Sequence, residues 1–151
     1  MPHIHEKIDF AVSVFIVHAD KVLFIKHKAL GMWLPVSGHV ELDEDPEQAA
    51  LRETREESGL EIELVGSRPA VEMTHGRCLI PPVFLDIHQI SDTHQHIGMI
   101  YFARAGSDRV ELAVHEHDDI RWLSLADFDD PAYGLLPQIR YYAQEALQRC
   151  A

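Results

Sequence analysis

The segment from Gly38 to Leu60, GHVELDEDPEQAALRETREESGL, constrains this chain more than any other. Asp45-Pro46-Glu47-Gln48 reads as a helix start. Asp45 can cap, Pro46 suits the first helical position, and Gln48 completes a capping-box spacing. Gly59 reads as the stop, because the left-handed residue after a last turn favours glycine. The spacing predicts a helix of about three to four turns between them. Along it Glu53, Glu56 and Glu57 stand at i, i+3 and i+4, which puts three carboxylates on one face. Like charges at that spacing destabilise a bare helix. A divalent cation turns the repulsion into binding, and oxygen ligands suit magnesium or manganese. The competing reading is a solvated acidic helix with ordinary salt bridges.

The order of the letters separates the two readings. The segment resembles the signature of the Nudix hydrolases, in which a glycine and a glutamate precede an Arg-Glu-aliphatic-X-Glu-Glu-X-Gly-aliphatic run. Gly38, Glu44, Arg52, Glu53, Glu56, Glu57 and Gly59 fill its fixed letters, and Leu60 fills the last aliphatic slot. Thr54 departs from the first aliphatic slot, as a β-branched residue of similar size to valine. At about 7% usage per letter, such a match arises by chance about once in a hundred million starting positions.

The resemblance implies an α/β fold of the Nudix type, an α/β/α sandwich with a mixed β-sheet between helices. It implies hydrolysis of a diphosphate linkage, usually in a nucleoside diphosphate derivative, by attack of water on phosphorus with Mg2+ (or Mn2+) as cofactor. Glu53, Glu56 and Glu57 are then metal ligands or activators of the water, and the Gly38 region adds a carbonyl. Arg52 is expected to point sideways and hold a neighbouring carboxylate with its planar fork. Glu44 is expected in a supporting role. Many members take their base from a loop before a strand that carries a tryptophan. Glu116, ahead of Trp122 in VHEHDDIRWLSL, fits that pattern, with Asp118 and Asp119 as rivals. Two alternatives share the fold: a nucleotide sensor without turnover, and an isomerase acting on an allylic diphosphate precursor. The intact carboxylate set argues against the first, and nothing places Cys78 or Cys150 in the role the second requires.

Length and composition agree with one domain over residues 1–151, enough chain for an adequate core. A formal net charge of -12 excludes a basic surface for gripping a nucleic acid duplex. It also disfavours polyanionic substrates unless a cation screens them. Two cysteines, Cys78 and Cys150, far apart and without a CxxC, fit a reducing cytoplasm. MPHIHEKIDF has no signal-peptide pattern, and no apolar run reaches about 18 residues. The expectation is a cytoplasmic protein acting on a small nucleotide diphosphate, away from membranes, with a homodimer left open.

In chain order, Ile8–Val17 and Lys21–Lys28 read as a strand pair around Ala19-Asp20. Glu61–Met73 reads as extended, with Pro69 forcing an edge, a bulge or a break. Val83–Ser91, Gln95–Ala105 and Ile120–Leu123 read as strands. Ser124 with Asp127 starts a short helix, and Leu135–Arg149 a final one.

Three histidine pairs attract a metal reading: His3-His5, His94-His96 and His115-His117. In extended chain each pair shares a face. A structural zinc needs four ligands, however, and no cysteine lies near the first two pairs. His115 and His117 read as exposed loop residues. Trp33 suits either stacking on a substrate base or packing, and Arg77 in the HGRCLIPP loop either a substrate phosphate or solvent. The window His75–Cys78 lacks the proline or tyrosine typical of relatives that act on ADP-ribose or dinucleoside polyphosphates. Nucleoside triphosphates, nucleotide sugars and unusual diphosphates stay open.

Overall fold

The structure is a computed structural model that describes residues 7–151; His3 and His5 lie outside them. Its centre is β1 (Ile8–His18), whose side chains alternate between two cores. Val12, Val14 and Ile16 face one side, and Phe15 and Val17 the other. Strand periodicity makes this split unavoidable for a run that is apolar at successive positions. β2 (Lys21–His27) returns antiparallel through Ala19 and Asp20. Both carry positive φ, 47° and 60°, the backbone that a tight two-residue hairpin needs.

β3 (Trp33–Leu34) pairs with β2, while β4 (Val36–His39) takes over the N-terminal half of the same β1 edge. After helix α1 (Pro46–Ser58) come β5 (Ile62–Leu64), β6 (Phe84–Ser91), β7 (His94–Ala105) and β8 (His117–Ser124). β7 lies parallel to the other edge of β1, from Ile8↔Gln95 to Val17↔Arg104. Every other pairing is antiparallel, so the sheet is mixed as expected. A 3-10 turn (Leu125–Asp129) follows β8, with Asp127 Oδ2 accepting from the Ser124 N–H at 2.7 Å. The chain closes with α2 (Pro137–Arg149).

α1 covers the Val12–Val14–Ile16 face through Ala49 and Ala50, both fully buried. Their small side chains let the helix sit close to the strands. α2 covers the opposite face, where Phe15 meets Phe24, Phe102 and Tyr142 edge-on at 5.7–6.5 Å. Full burial of such a ring is worth about 2–3 kcal/mol, and Phe15→Ala would cost about 3–5 kcal/mol once the cavity is counted.

Three elements differ from expectation by two residues or more at a boundary. Only Ile62–Leu64 of the Glu61–Met73 stretch is strand, because β6 already occupies the rest of that β7 edge. α2 starts at Pro137, where the ring fits the first helical position, not at Leu135. β8 begins at His117, ahead of the expected Ile120. Among the described residues, no helix is long and apolar enough to cross a membrane.

Candidate active site

The site grows from the start of α1. Asp45 accepts from the Gln48 N–H, and the Gln48 side chain accepts from the Asp45 N–H, both at 2.9 Å. Such a cap is worth about 1 kcal/mol and fixes the first turn. Gly59 ends the helix at φ 73°, its N–H donating to the Arg55 carbonyl. Thr54 is fully buried, yet its hydroxyl donates to the Ala50 carbonyl at 2.7 Å. With its polar atom satisfied inside the helix, it packs as valine would.

Glu53 lies directly against β4. A Cβ on Gly38 would stand 2.0 Å from Glu53 Oε1 and 2.1 Å from its Cδ. Gly38 has no left-handed φ, so the glycine is there for space and not for backbone freedom. One turn on, Glu57 is only 5% exposed and accepts from the Ser37 N–H at 3.3 Å. Burial, then the neighbouring charge of Glu53, pushes the Glu57 carboxyl up to about 9. Burial also raises Glu53, against the pull of Arg52. A divalent cation would displace the proton that burial favours on Glu57 and would relieve the crowding of the two carboxyls. With oxygen donors only, the set fits magnesium or manganese.

Arg52 anchors the surroundings. Its Nε and Nη2 clasp Glu44 at 3.0 and 2.7 Å, Nη1 donates to Glu53 Oε1 at 2.8 Å, and Nη2 also reaches the His39 carbonyl at 3.0 Å. The guanidinium holds Glu44 below the usual carboxylate range. Glu56 is exposed, its Oε2 3.2 Å from the same Nη1.

β8 supplies what the sequence reading missed. His117 was expected in an exposed loop; it is 3% exposed, and its Nε2 lies 2.9 Å from Glu57 Oε2. The approach is off the hydrogen-bonding line, and neither ring nitrogen has a hydrogen-bond partner. The reason for the misplacement is a bulge. Asp119 pairs with Lys26, but His117, not Asp118, pairs with His27. Skipping Asp118 turns His117 onto the α1 face, where strict alternation would have turned it away. Its ring meets His27 edge-on at 5.2 Å. His115 is exposed, as expected.

Glu116 is exposed beside this pair, Oε2 3.8 Å from His117 Nε2. Asp118 is exposed. Asp119 accepts from the Ile120 N–H and pairs with Arg121. Arg77 pairs with Asp45 at the start of α1. Trp33 is not a stacking surface: it is 8% exposed, packs edge-on against Tyr133 at 5.4 Å, and belongs to the core on the α2 side. Cys150 is buried in that same core, away from the carboxylates, and Cys78 is half-buried against Met73.

A mixed sheet lies between two helices in an α/β/α sandwich, and α1 sets the half-buried Glu53 and the buried Glu57 against β4 of that sheet. The NUDIX domain profile matches residues 7–145, and the chain belongs to the Nudix family of hydrolases. A NUDIX-family hydrolase from Clostridium perfringens has a similar structure, with TM-score 0.86 and 33% identity over 95% of this chain and 98% of that one. A MutT NUDIX hydrolase from Burkholderia pseudomallei shares the fold at TM-score 0.67 and 23% identity, over 97% of this chain and 100% of that one. A probable DHNTP pyrophosphohydrolase from Lactococcus lactis is 31% identical over 110 residues, 73% of this chain and 62% of that protein.

Proposed function

We propose that the protein hydrolyses a diphosphate linkage in a nucleoside diphosphate derivative, with Mg2+ held by Glu53 and Glu57, and Glu56 and the Gly38 backbone as further donors. The observation that carries this reading is the carboxylate pair of half-buried Glu53 and buried Glu57, packed onto Gly38 and Ser37. Carboxylates so placed serve no packing purpose and are costly to keep there without a counter-ion. When bound, the cation would neutralise charge that builds on the phosphoryl oxygens.

The chain's own groups do the rest. Arg52 is saturated by Glu44, Glu53, Glu56 and the His39 carbonyl, so it positions carboxylates and does not bind substrate. Glu116, exposed at the rim, takes a proton from water on its carboxylate as the water oxygen bonds to phosphorus and the bridging P–O bond breaks. His117, buried against Glu57, limits where that carboxylate can swing.

The test is release of phosphate or pyrophosphate from a panel of nucleoside triphosphates, nucleotide sugars and DHNTP, with and without Mg2+. Turnover that needs the cation and falls about a hundredfold in Glu57→Gln supports the assignment. Cation-independent turnover, or a fully active Glu57→Gln, sinks it.

A further inference from the structure

On the face of the sheet opposite the carboxylates, strand register gathers a second group of metal-ligating side chains. Asp9 of β1 pairs with His96 of β7, and His94 precedes His96 by two residues on the same face. His39 of β4 pairs with Ala11, which shares a face with Asp9. Four side chains from three strands therefore converge on that face. One ligand atom from each lies within 4.8 Å of all the others. His39 Nε2 stands 3.1 Å from Asp9 Oδ2 and 3.1 Å from His96 Nε2. In a tetrahedral zinc site with bonds of about 2.0–2.1 Å, neighbouring ligand atoms are about 3.3 Å apart.

We propose that Asp9, His39, His94 and His96 form a second cation site, of zinc type, separate from the carboxylate site. Three imidazoles and one carboxylate suit a borderline transition ion and are a poor set for magnesium. The flanking contacts also suit it. Asp9 Oδ1 accepts from the Phe10 N–H at 2.8 Å, which leaves Oδ2 turned to His39. His88, whose ring lies 5.8 Å from that of His96, is held at Nδ1 by Asp86 Oδ1. Asp86 has room because Gly98 lacks a Cβ, which would stand 2.6 Å from Oδ1. His94-His96 offers two ligands in the sequence; β1 and β4 supply the other two, and only the fold shows it.

The site also reaches the catalytic face through one residue. His39 offers its ring to the second group, while its carbonyl receives Arg52 and its neighbour Gly38 cradles Glu53. A bound ion would cross-link β1, β4 and β7 at that point.

The experiment uses the untagged full chain in saturating Mg2+, so that oxygen-ligand sites are filled. Zinc is titrated calorimetrically, and cobalt by the visible absorption of its tetrahedral complexes. The expected result is one zinc per chain, a tetrahedral cobalt spectrum and a Tm raised by zinc. His96→Ala should weaken zinc at least about tenfold and abolish the spectrum, whereas Glu57→Gln leaves both intact. Asp9→Asn, a change of similar shape at the surface, should weaken zinc in the same direction and covers the case in which His96→Ala does not fold. No cobalt spectrum in the wild type, or wild-type affinity in both variants, overturns the proposal. Because Glu57→Gln is the control, failure of the carboxylate assignment reads out separately.

Discussion

The Glu53 carboxylate occupies the space that a side chain on Gly38 would fill, 2.0 Å from the position of its Cβ. The helix and the strand thus touch at the carboxylate proposed to hold the cation. Gly38→Ala should drive Glu53 out of place and lower kcat about tenfold to a hundredfold. Stability should change little, because the displaced atoms are the far end of a flexible side chain. A variant that unfolds, or one with wild-type kcat, would contradict this account of the glycine.

The Glu57 carboxyl is held up to about 9, above its unfolded value. Without a cation its contribution to stability is therefore fully present below the ordinary carboxylate range, and is lost as pH rises toward 9. A divalent cation replaces the proton, so its own binding strengthens as pH rises. Mg2+ should raise Tm more at about pH 8.5 than at about pH 5.5. Calorimetry in two buffers of different ionisation enthalpy should show proton release on binding. Glu57→Gln should flatten both dependences. A Tm increment equal at the two pH values would place the cation elsewhere.

The capping pattern at Asp45 and Gln48, the stop at Gly59 and the strand pair around Ala19-Asp20 were all legible, because each is written in residues close together in the chain. The carboxylates on one helical face follow from the same local periodicity. His117 was not legible: its side depends on the bulge at Asp118, which exists only in the pairing with β2. Glu61–Met73 failed for a related reason, since whether an extended stretch becomes strand depends on a free neighbouring edge. Trp33 was left between two roles, and its β3 register with Lys26 puts it on the α2 side. The gathering of Asp9 with His39 and His96 requires the β1–β4 pairing and the parallel β1–β7 pairing together, and neither leaves a local mark.

Arg52 holds three carboxylates and a backbone carbonyl with geometry that lysine cannot reproduce. Arg52→Lys should lower kcat about tenfold. It should also cost about 1–2 kcal/mol of stability, as Glu44 loses a two-point partner. Glu44→Gln, which keeps one acceptor for the same fork, should be milder on both measures. Denaturant unfolding and steady-state kinetics check the pair, and the opposite ranking would make Glu44 more than a support.

Glu116 carries the last test, because it stands exposed beside His117 where a base can reach water. Glu116→Gln should depress kcat and kcat/KM together by about a hundredfold, as an interaction made only in the transition state does. The acidic limb of the rate profile should vanish with it, since the titrating group is gone. Asp119→Asn should act mainly on stability, because Asp119 pairs with Arg121 and caps the Ile120 N–H. Asp118→Asn, at the exposed bulge residue, should be nearly silent. If Glu116→Gln keeps its acidic limb while Asp118→Asn loses it, the base sits at the bulge. If neither variant matters, proton transfer falls to the helix, where Glu53 is the carboxylate that remains.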